Sequence, residues 1–294
     1  MIRFVAVLMF ALLPGVAVAG PVHQQLVRPD GSSIEYTLDA PDGDTAGLVV
    51  LLTGSGCLPG AVNTNIGMAR AAFGNYTALI VEKFGVAPDA AIADGFTDCP
   101  AAFHEGHTVS QRVADTVAVI IHLGDMGPLV LFGGSEGGLT AAVLATRVEA
   151  DGVVMLSSGP GLPFDELVLS TVPPEGQEQV SAGLAAARAD PQGLAMFAGS
   201  SHRFWADIQS YRAEDYVART QTPFLLIQGG MDTSSPVAAA RMTVDRFNAE
   251  GRCNLTYWEF AGLDHGMADA NGVSRMARVL GLAADWADGV DLGC

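Results

Sequence analysis

Residues 129–132 are a short apolar run that meets Gly133-Gly134-Ser135-Glu136-Gly137-Gly138 and then continues into an alanine-rich stretch. No other segment constrains the fold as strongly. A buried strand can turn straight into a helix only where small residues let the two backbones converge, and Gly133 and Gly137 stand at those points. The Gly-x-Ser-x-Gly spacing puts Ser135 at the tip of the turn. There the backbone takes a left-handed conformation that costs about 1–3 kcal/mol and persists only where its surroundings enforce it. The pattern predicts a serine presented for nucleophilic attack. A glycine-rich turn with an incidental serine would spell the same letters, so the rest of the chain must decide.

Met1-Ile2-Arg3, a run of ten apolar residues at 4–13, the break at Pro14-Gly15 and then Ala17-Val18-Ala19 predict a cleaved export signal over residues 1–19. The apolar run is too short to span a bilayer, and the Ala-x-Ala site weighs against an uncleaved anchor. The mature chain is expected to start at Gly20 and to work in the periplasm or outside the cell. Its length suits one large α/β domain. Lys and Arg number 15 against 32 Asp and Glu, a net charge of −17. So acidic a chain disfavours nucleic acid and anionic membranes as partners, and no stable membrane anchor is expected; solubility is the plainest meaning of the charge. The cysteines are Cys57, Cys99, Cys253 and Cys294. An even number in an exported chain suggests two disulfides. Of three pairings, Cys57–Cys99 and Cys253–Cys294 are favoured because each closes a loop of about forty residues within one half of the fold. No Cys-x-x-Cys spacing points to redox or zinc chemistry.

Strand-like and helix-like stretches alternate. Residues 24–28 and 33–38 read as a hairpin across Pro29-Asp30-Gly31. Continuous apolar runs at 47–52, 77–81, 129–132, 152–156 and 224–227 suit strands buried on both faces, and 255–260 reads as another strand. Helical patterns cover 105–123, 137–148, 237–249 and 265–286. Residues 162–220 differ: they hold no strong strand, and stretches such as 178–188 and 204–211 read as helices between Pro173-Pro174, Pro191 and Gly193. This alternation predicts an α/β fold, a mostly parallel sheet covered on both sides, with ligands bound at the carboxyl ends of the strands.

A serine hydroxyl needs a base within hydrogen-bond reach, and the base needs a carboxylate to orient it. His265 follows the strand at 255–260 and a short loop, and is expected to open the last helix; it is the base of choice. Asp232 follows the strand at 224–227 across Gly229-Gly230 and is the acid of choice, although Asp232 before Pro236 could equally cap a helix. Asp264 is the runner-up, but adjacency to His265 makes it hard to turn its carboxylate onto Nδ1. An oxyanion hole needs two backbone N–H groups. Glu136, just after the serine, supplies one. Ser55 or Gly56, in Thr53-Gly54-Ser55-Gly56-Cys57, supplies the other, with Ser55 preferred.

Thr53-Gly-Ser-Gly56, Gly133-Gly-Ser-Glu-Gly137, Gly229-Gly-Met-Asp232 and Gly262-Leu-Asp-His265-Gly266 together resemble the α/β-hydrolase superfamily over nearly the whole mature length. The resemblance implies a central sheet of about eight strands, a core of residues 20–161 and 221–294, and a helical cap at 162–220. It also implies the order nucleophile, acid, histidine. Thr53 stands where many members carry a histidine, which leaves the backbone donors intact but blurs the subfamily. The Ser-Glu-Gly-Gly variant is similar to dienelactone-hydrolase-like and prolyl-oligopeptidase-like members. The expected activity is hydrolysis of a small or lipid-like carboxylic ester through an acyl-enzyme on Ser135, without metal or organic cofactor. A peptidase or amidase of the same fold is the alternative, and an inactive binding protein a more distant one. His104 and His107 have a spacing a metal could use, but no third ligand is evident. Phe204, Trp205 and Tyr211 would either line a substrate pocket or pack the insertion on the core.

Overall fold

The computed structural model describes residues 20–289. The strands are β1 (Val22–Val27), β2 (Ser33–Asp39), β3 (Leu48–Leu52), β4 (Thr77–Val81), β5 (Leu129–Gly134), β6 (Gly152–Leu156), β7 (Met196–Phe197), β8 (Ser200–Ser201), β9 (Phe224–Gly229) and β10 (Leu255–Phe260). Eight of them form one sheet in the order β1-β2-β4-β3-β5-β6-β9-β10, while β7 and β8 pair as a small hairpin. β1 and β2 are antiparallel to their neighbours, and every other pairing in the large sheet is parallel. The helices are α1 (Thr64–Ala72), α2 (Ala101–Gly106), α3 (Val109–Leu123), α4 (Glu136–Leu144), α5 (Phe164–Thr171), α6 (Pro174–Ala189), α7 (His202–Ile208), α8 (Ala213–Val217), α9 (Val237–Ala249) and α10 (Met276–Asp288).

The unbroken apolar runs follow from burial on both faces, because successive strand residues point to opposite sides. Val50, Leu52, Leu131, Val153 and Leu226 face one core with residues of α3, α4 and α6 to α9. Val49, Leu51, Val130, Val154 and Leu225 face the other, with α1 and α10. Between β6 and β9 the chain runs through α5 and α6, the β7–β8 hairpin, then α7 and α8. Their residues Leu184, Phe204, Trp205 and Val217 join the first core rather than forming one of their own.

Two helical expectations are corrected. Residues 105–123 are not one helix: His107 and Thr108 are extended, and the Thr108 hydroxyl caps α3 by accepting from the Gln111 amide at 3.0 Å. The last helix does not open at His265 but at Met276. Residues 265–275 instead turn repeatedly, because Asp264 Oδ1 accepts the amides of Gly266 and Ala268, and Asp269 Oδ1 those of Asn271 and Val273. Short carboxylates that bond nearby amides in this way compete with helix. Cys57 and Cys99 form a disulfide across a separation of 42 residues. Residues 1–19, expected from the sequence as an export signal, and Cys294 with its expected pairing to Cys253 lie outside the described residues. Among the described residues no helix is long and apolar enough to cross a membrane.

Candidate active site

The loops that follow β3, β5, β9 and β10 all leave the carboxyl ends of parallel strands, so they gather at one edge of the sheet. Ser135 lies between β5 and α4 with φ 55° and ψ −123°. Its amide donates to the Leu156 carbonyl at 2.8 Å, and its carbonyl accepts from the Gly138 amide at 2.9 Å. A Cβ on Gly133 would collide with the Gly137 backbone, and one on Gly137 with the carbonyls of Leu52 and Thr53. The two glycines are therefore what lets strand and helix meet at this angle.

Asp232 is buried, and its carboxylate is fully engaged. Oδ1 accepts the amides of Ser234 at 2.8 Å and Ser235 at 2.7 Å; Oδ2 accepts from Gln228 Nε2 at 2.8 Å and lies 2.9 Å from His265 Nδ1. Asp232 thus does two things that sequence posed as alternatives: it orders the turn before α9 and it faces the imidazole. Asp264 bonds backbone amides of its own loop. Gln228, invisible as a site residue in the sequence, is fixed in turn by donating to the Ser235 carbonyl at 2.8 Å. Its only signal was an amide at the end of an otherwise apolar strand. The Ser157 hydroxyl donates to the His265 carbonyl at 3.1 Å. Ser135 and His265 both line one cleft of about 320 Å³, together with Gly54, Ser55, Phe96 and Ser157.

Below the Thr53–Gly56 loop lies a buried ionic cluster that sequence reading missed. Lys83 Nζ donates to the carbonyls of Gly54 at 2.7 Å and Gly56 at 2.8 Å, and to Glu136 Oε1 at 2.9 Å. Arg112 donates to the Thr53 carbonyl at 2.9 Å, to the Thr53 hydroxyl at 3.0 Å and to Glu136 Oε1 at 3.3 Å. The side chains of Lys83, Arg112 and Glu136 are at most 3% exposed. Burial alone would raise the Glu136 carboxyl, but the Lys83 ammonium, with His107 and Arg112, holds it well below the usual carboxylate range. Burial pulls Lys83 down to about 8, against the pull of Glu136. Burial likewise pushes His107 down to about 4. Charges at a strand end (Glu82-Lys83) and an arginine within an apolar helix were the available signals.

This cluster has a directional consequence. All described peptide bonds are trans. In a trans peptide the N–H points opposite to the C=O. Since the Thr53 and Gly54 carbonyls turn in toward Arg112 and Lys83, the N–H groups of Gly54 and Ser55 point away from the cations. Gly54 and Ser55 themselves line the cleft. Glu136 opens α4, so its amide is among the first-turn donors that a helix leaves without an internal acceptor.

His107 sits among aromatic rings. Its ring is stacked between Phe103 and Phe204, and among the described residues no three metal-ligating side chains gather. Phe204 and Trp205 line a second, smaller cavity, whereas Tyr211 hydrogen-bonds the Ser110 hydroxyl at 2.6 Å, away from both.

The sheet order, the strand-end loops and the elbow at Ser135 define an α/β-hydrolase fold. Solved structures agree. The chain is similar to Est1E from Butyrivibrio proteoclasticus, with 16% identity, 90% of this chain and 96% of that one covered, and a TM-score of 0.60. It is similar to the Paleococcus ferrophilus monoacylglycerol lipase, with 19% identity, coverage of 86% and 98%, and a TM-score of 0.58. It is also similar to the Pyrococcus horikoshii acylaminoacyl peptidase, with 13% identity, 95% of this chain but 44% of that one covered, and a TM-score of 0.60. No family model matches the chain, and no curated protein matches it in sequence. The structural neighbours are hydrolases, namely esterases, lipases and peptidases.

Proposed function

We propose that this chain is an exported serine hydrolase that cleaves carboxylic esters. The observation that carries the proposal is the 2.9 Å contact of His265 Nδ1 with the fully engaged Asp232 carboxylate, in a cleft that His265 shares with Ser135. Asp232 keeps the proton on Nδ1, which leaves Nε2 as the base. Ser135 Oγ bonds to the ester carbonyl carbon as its proton passes to His265. The carbonyl oxygen becomes an oxyanion held by the amides of Glu136 and Ser55. Collapse breaks the carbon–alkoxy bond, and His265 returns the proton to the departing alcohol. Water, deprotonated by His265, then adds to the acyl-enzyme and releases the acid, restoring Ser135. Removing one donor to an oxyanion of this kind costs about 2.7–4 kcal/mol.

Ser55 is preferred over Gly56 as second donor because Lys83 holds the Gly54 carbonyl, in the same peptide as the Ser55 N–H, while the other carbonyl it holds, that of Gly56, shares a peptide with the Cys57 N–H. A disulfide between Cys57 and Cys99 fits an oxidising compartment, as does the signal-like sequence at 1–19. The substrate is a small or lipid-like ester, and nucleic acid is not a partner. The test is fluorophosphonate labelling with p-nitrophenyl ester turnover, and matched anilides as the amide control. Labelling and ester turnover that both vanish in Ser135→Ala are expected. Folded wild type that resists the probe would overturn the proposal, and faster anilide cleavage would make the chain a peptidase or amidase.

A further inference from the structure

A second cavity, of about 130 Å³, adjoins the cleft. The two share Ser55 and Phe96, but neither Ser135 nor His265 lines the smaller one. Its floor carries Gly56 and Glu136, and its walls are the rings of Phe103, Phe164, Phe204 and Trp205. These rings are held in place. The His107 ring stacks on Phe103 at 4.6 Å between centroids and on Phe204 at 5.4 Å, and Trp205 meets Phe204 edge-on at 5.5 Å. Trp205 Nε1 donates to the Phe197 carbonyl at 2.6 Å. The tip of the β7–β8 hairpin closes the cavity with Ala198 at φ 44° and Gly199 at φ 80°. Among the described residues four non-glycines have left-handed φ: Ser135, Ser157, Ala198 and Met267. Two line the cleft, one follows His265 by two positions, and the fourth lines this cavity. Strain of this kind collects where ligands are clamped.

We propose that this cavity receives the acyl half of the substrate and is sized for one aromatic ring, which makes esters of an arylcarboxylic acid the preferred substrates; this rests on Ser135 and His265 acting as nucleophile and base. The direction follows from the proton. His265 must reach the departing alcohol, so the alcohol lies in the cleft that His265 lines. With the carbonyl oxygen between the amides of Ser55 and Glu136, the acyl group extends past those residues, and the smaller cavity is bordered by both. Size sets the class: an apolar cavity of about 150 Å³ holds benzene, so this volume takes a single ring but not an eight-carbon chain. The aromatic walls favour edge and offset contacts with such a ring.

The test keeps p-nitrophenol as the leaving group and compares acetate, benzoate and octanoate esters. The expected kcat/KM for benzoate is at least about tenfold that for octanoate. In Ser200→Leu, which fills the cavity from the hairpin, the benzoate-to-acetate ratio of kcat/KM is expected to fall about tenfold. The ratio cancels any loss of folded protein. Octanoate turned over as fast as benzoate, or a ratio unmoved by Ser200→Leu, overturns the proposal. A separate arm titrates methyl benzoate and methyl octanoate into Ser135→Ala by calorimetry, where tighter benzoate binding is expected. If wild type cleaves no ester yet this preference appears, the esterase assignment fails and the cavity assignment stands; if esters are cleaved with no aryl preference in either arm, the reverse holds.

Discussion

On one side of Ser135, the His265 side chain is 33% exposed and is steered by Asp232, whose other partners are two backbone amides and Gln228. On the other side, the Thr53–Gly56 loop rests on Lys83, Arg112 and Glu136, charges almost sealed from water. The contrast matches the two tasks proposed for these sides. A group that accepts and returns a proton must change its charge within each cycle, and water nearby lowers the cost of that change. A loop that presents amides has only to stay still. A buried ion pair is a poor source of net stability, but breaking it by removing one partner costs about 3–5 kcal/mol, so it resists displacement.

Four substitutions can break or sharpen that contrast. Ser135→Ala removes the group both sides serve, and kcat for esters should fall by about 10⁶-fold with the fold kept, as read by turnover and thermal melting. Asp232→Asn acts on the exposed side alone. Its amide would face the Gln228 donor and misdirect the imidazole tautomer, so kcat should drop about 10⁴-fold with a small change in melting temperature. Lys83→Met acts on the sealed side. It should lower kcat about 100-fold with KM little changed, and should destabilise the protein, because the Gly54 and Gly56 carbonyls lose their donor and Glu136 keeps Arg112 as its remaining close cation. Glu136→Gln separates the two effects: stability should fall, because Lys83 and Arg112 lose their shared carboxylate, and kcat should hold, because Lys83 still anchors the Gly54 and Gly56 carbonyls. A kcat lost in step with stability would mean that the cluster only supports the fold.

The smallest effect concerns acid. Burial holds His107 at about 4, below its ordinary value, so the folded protein keeps it neutral where the unfolded chain protonates it. The stability this gives is complete above pH 6.5 and is lost as pH falls toward 4, by roughly 3 kcal/mol in all. His107→Phe keeps the ring between Phe103 and Phe204 and has no charge to acquire. Calorimetry at pH 7 and pH 4.5 should show a smaller acid loss in the variant than in wild type.

The meeting of Asp232 with His265 in the cleft that Ser135 lines was legible in the sequence, because local chemistry announces such positions. A glycine turn after an apolar run must end a strand, and Ser135, Asp232 and His265 stand at or just beyond such turns. The sealed side was not legible. Lys83, Arg112 and Glu136 come from the end of β4, from α3 and from the start of α4, and only the tertiary fold brings them together. The helix expected from His265 onward failed for a local reason: periodicity saw Met276, Val279, Leu280 and Ala283, which are indeed the buried face of α10, but extended it back across Asp264, Gly266 and Asp269, where side chains capture the amides a helix would need. The β7–β8 hairpin was missed because its strands are too short to alternate.

The disulfide has one more consequence. Residues 82–100 contain no helix or strand, yet they carry Phe96, which is 64% exposed and borders both cavities. Cys57–Cys99 ties the end of that stretch to the residue after Gly56, and the Cys57 amide donates to the Gly95 carbonyl at 2.7 Å. By loop-closure entropy, such a link removes roughly 4 kcal/mol of freedom from the unfolded chain. Without it, a ligand entering the cleft would have to order that stretch at each encounter, and its affinity would fall by that ordering cost. With it, the rim is fixed once, when the Cys57–Cys99 bond forms, and every later ligand meets a mouth already shaped.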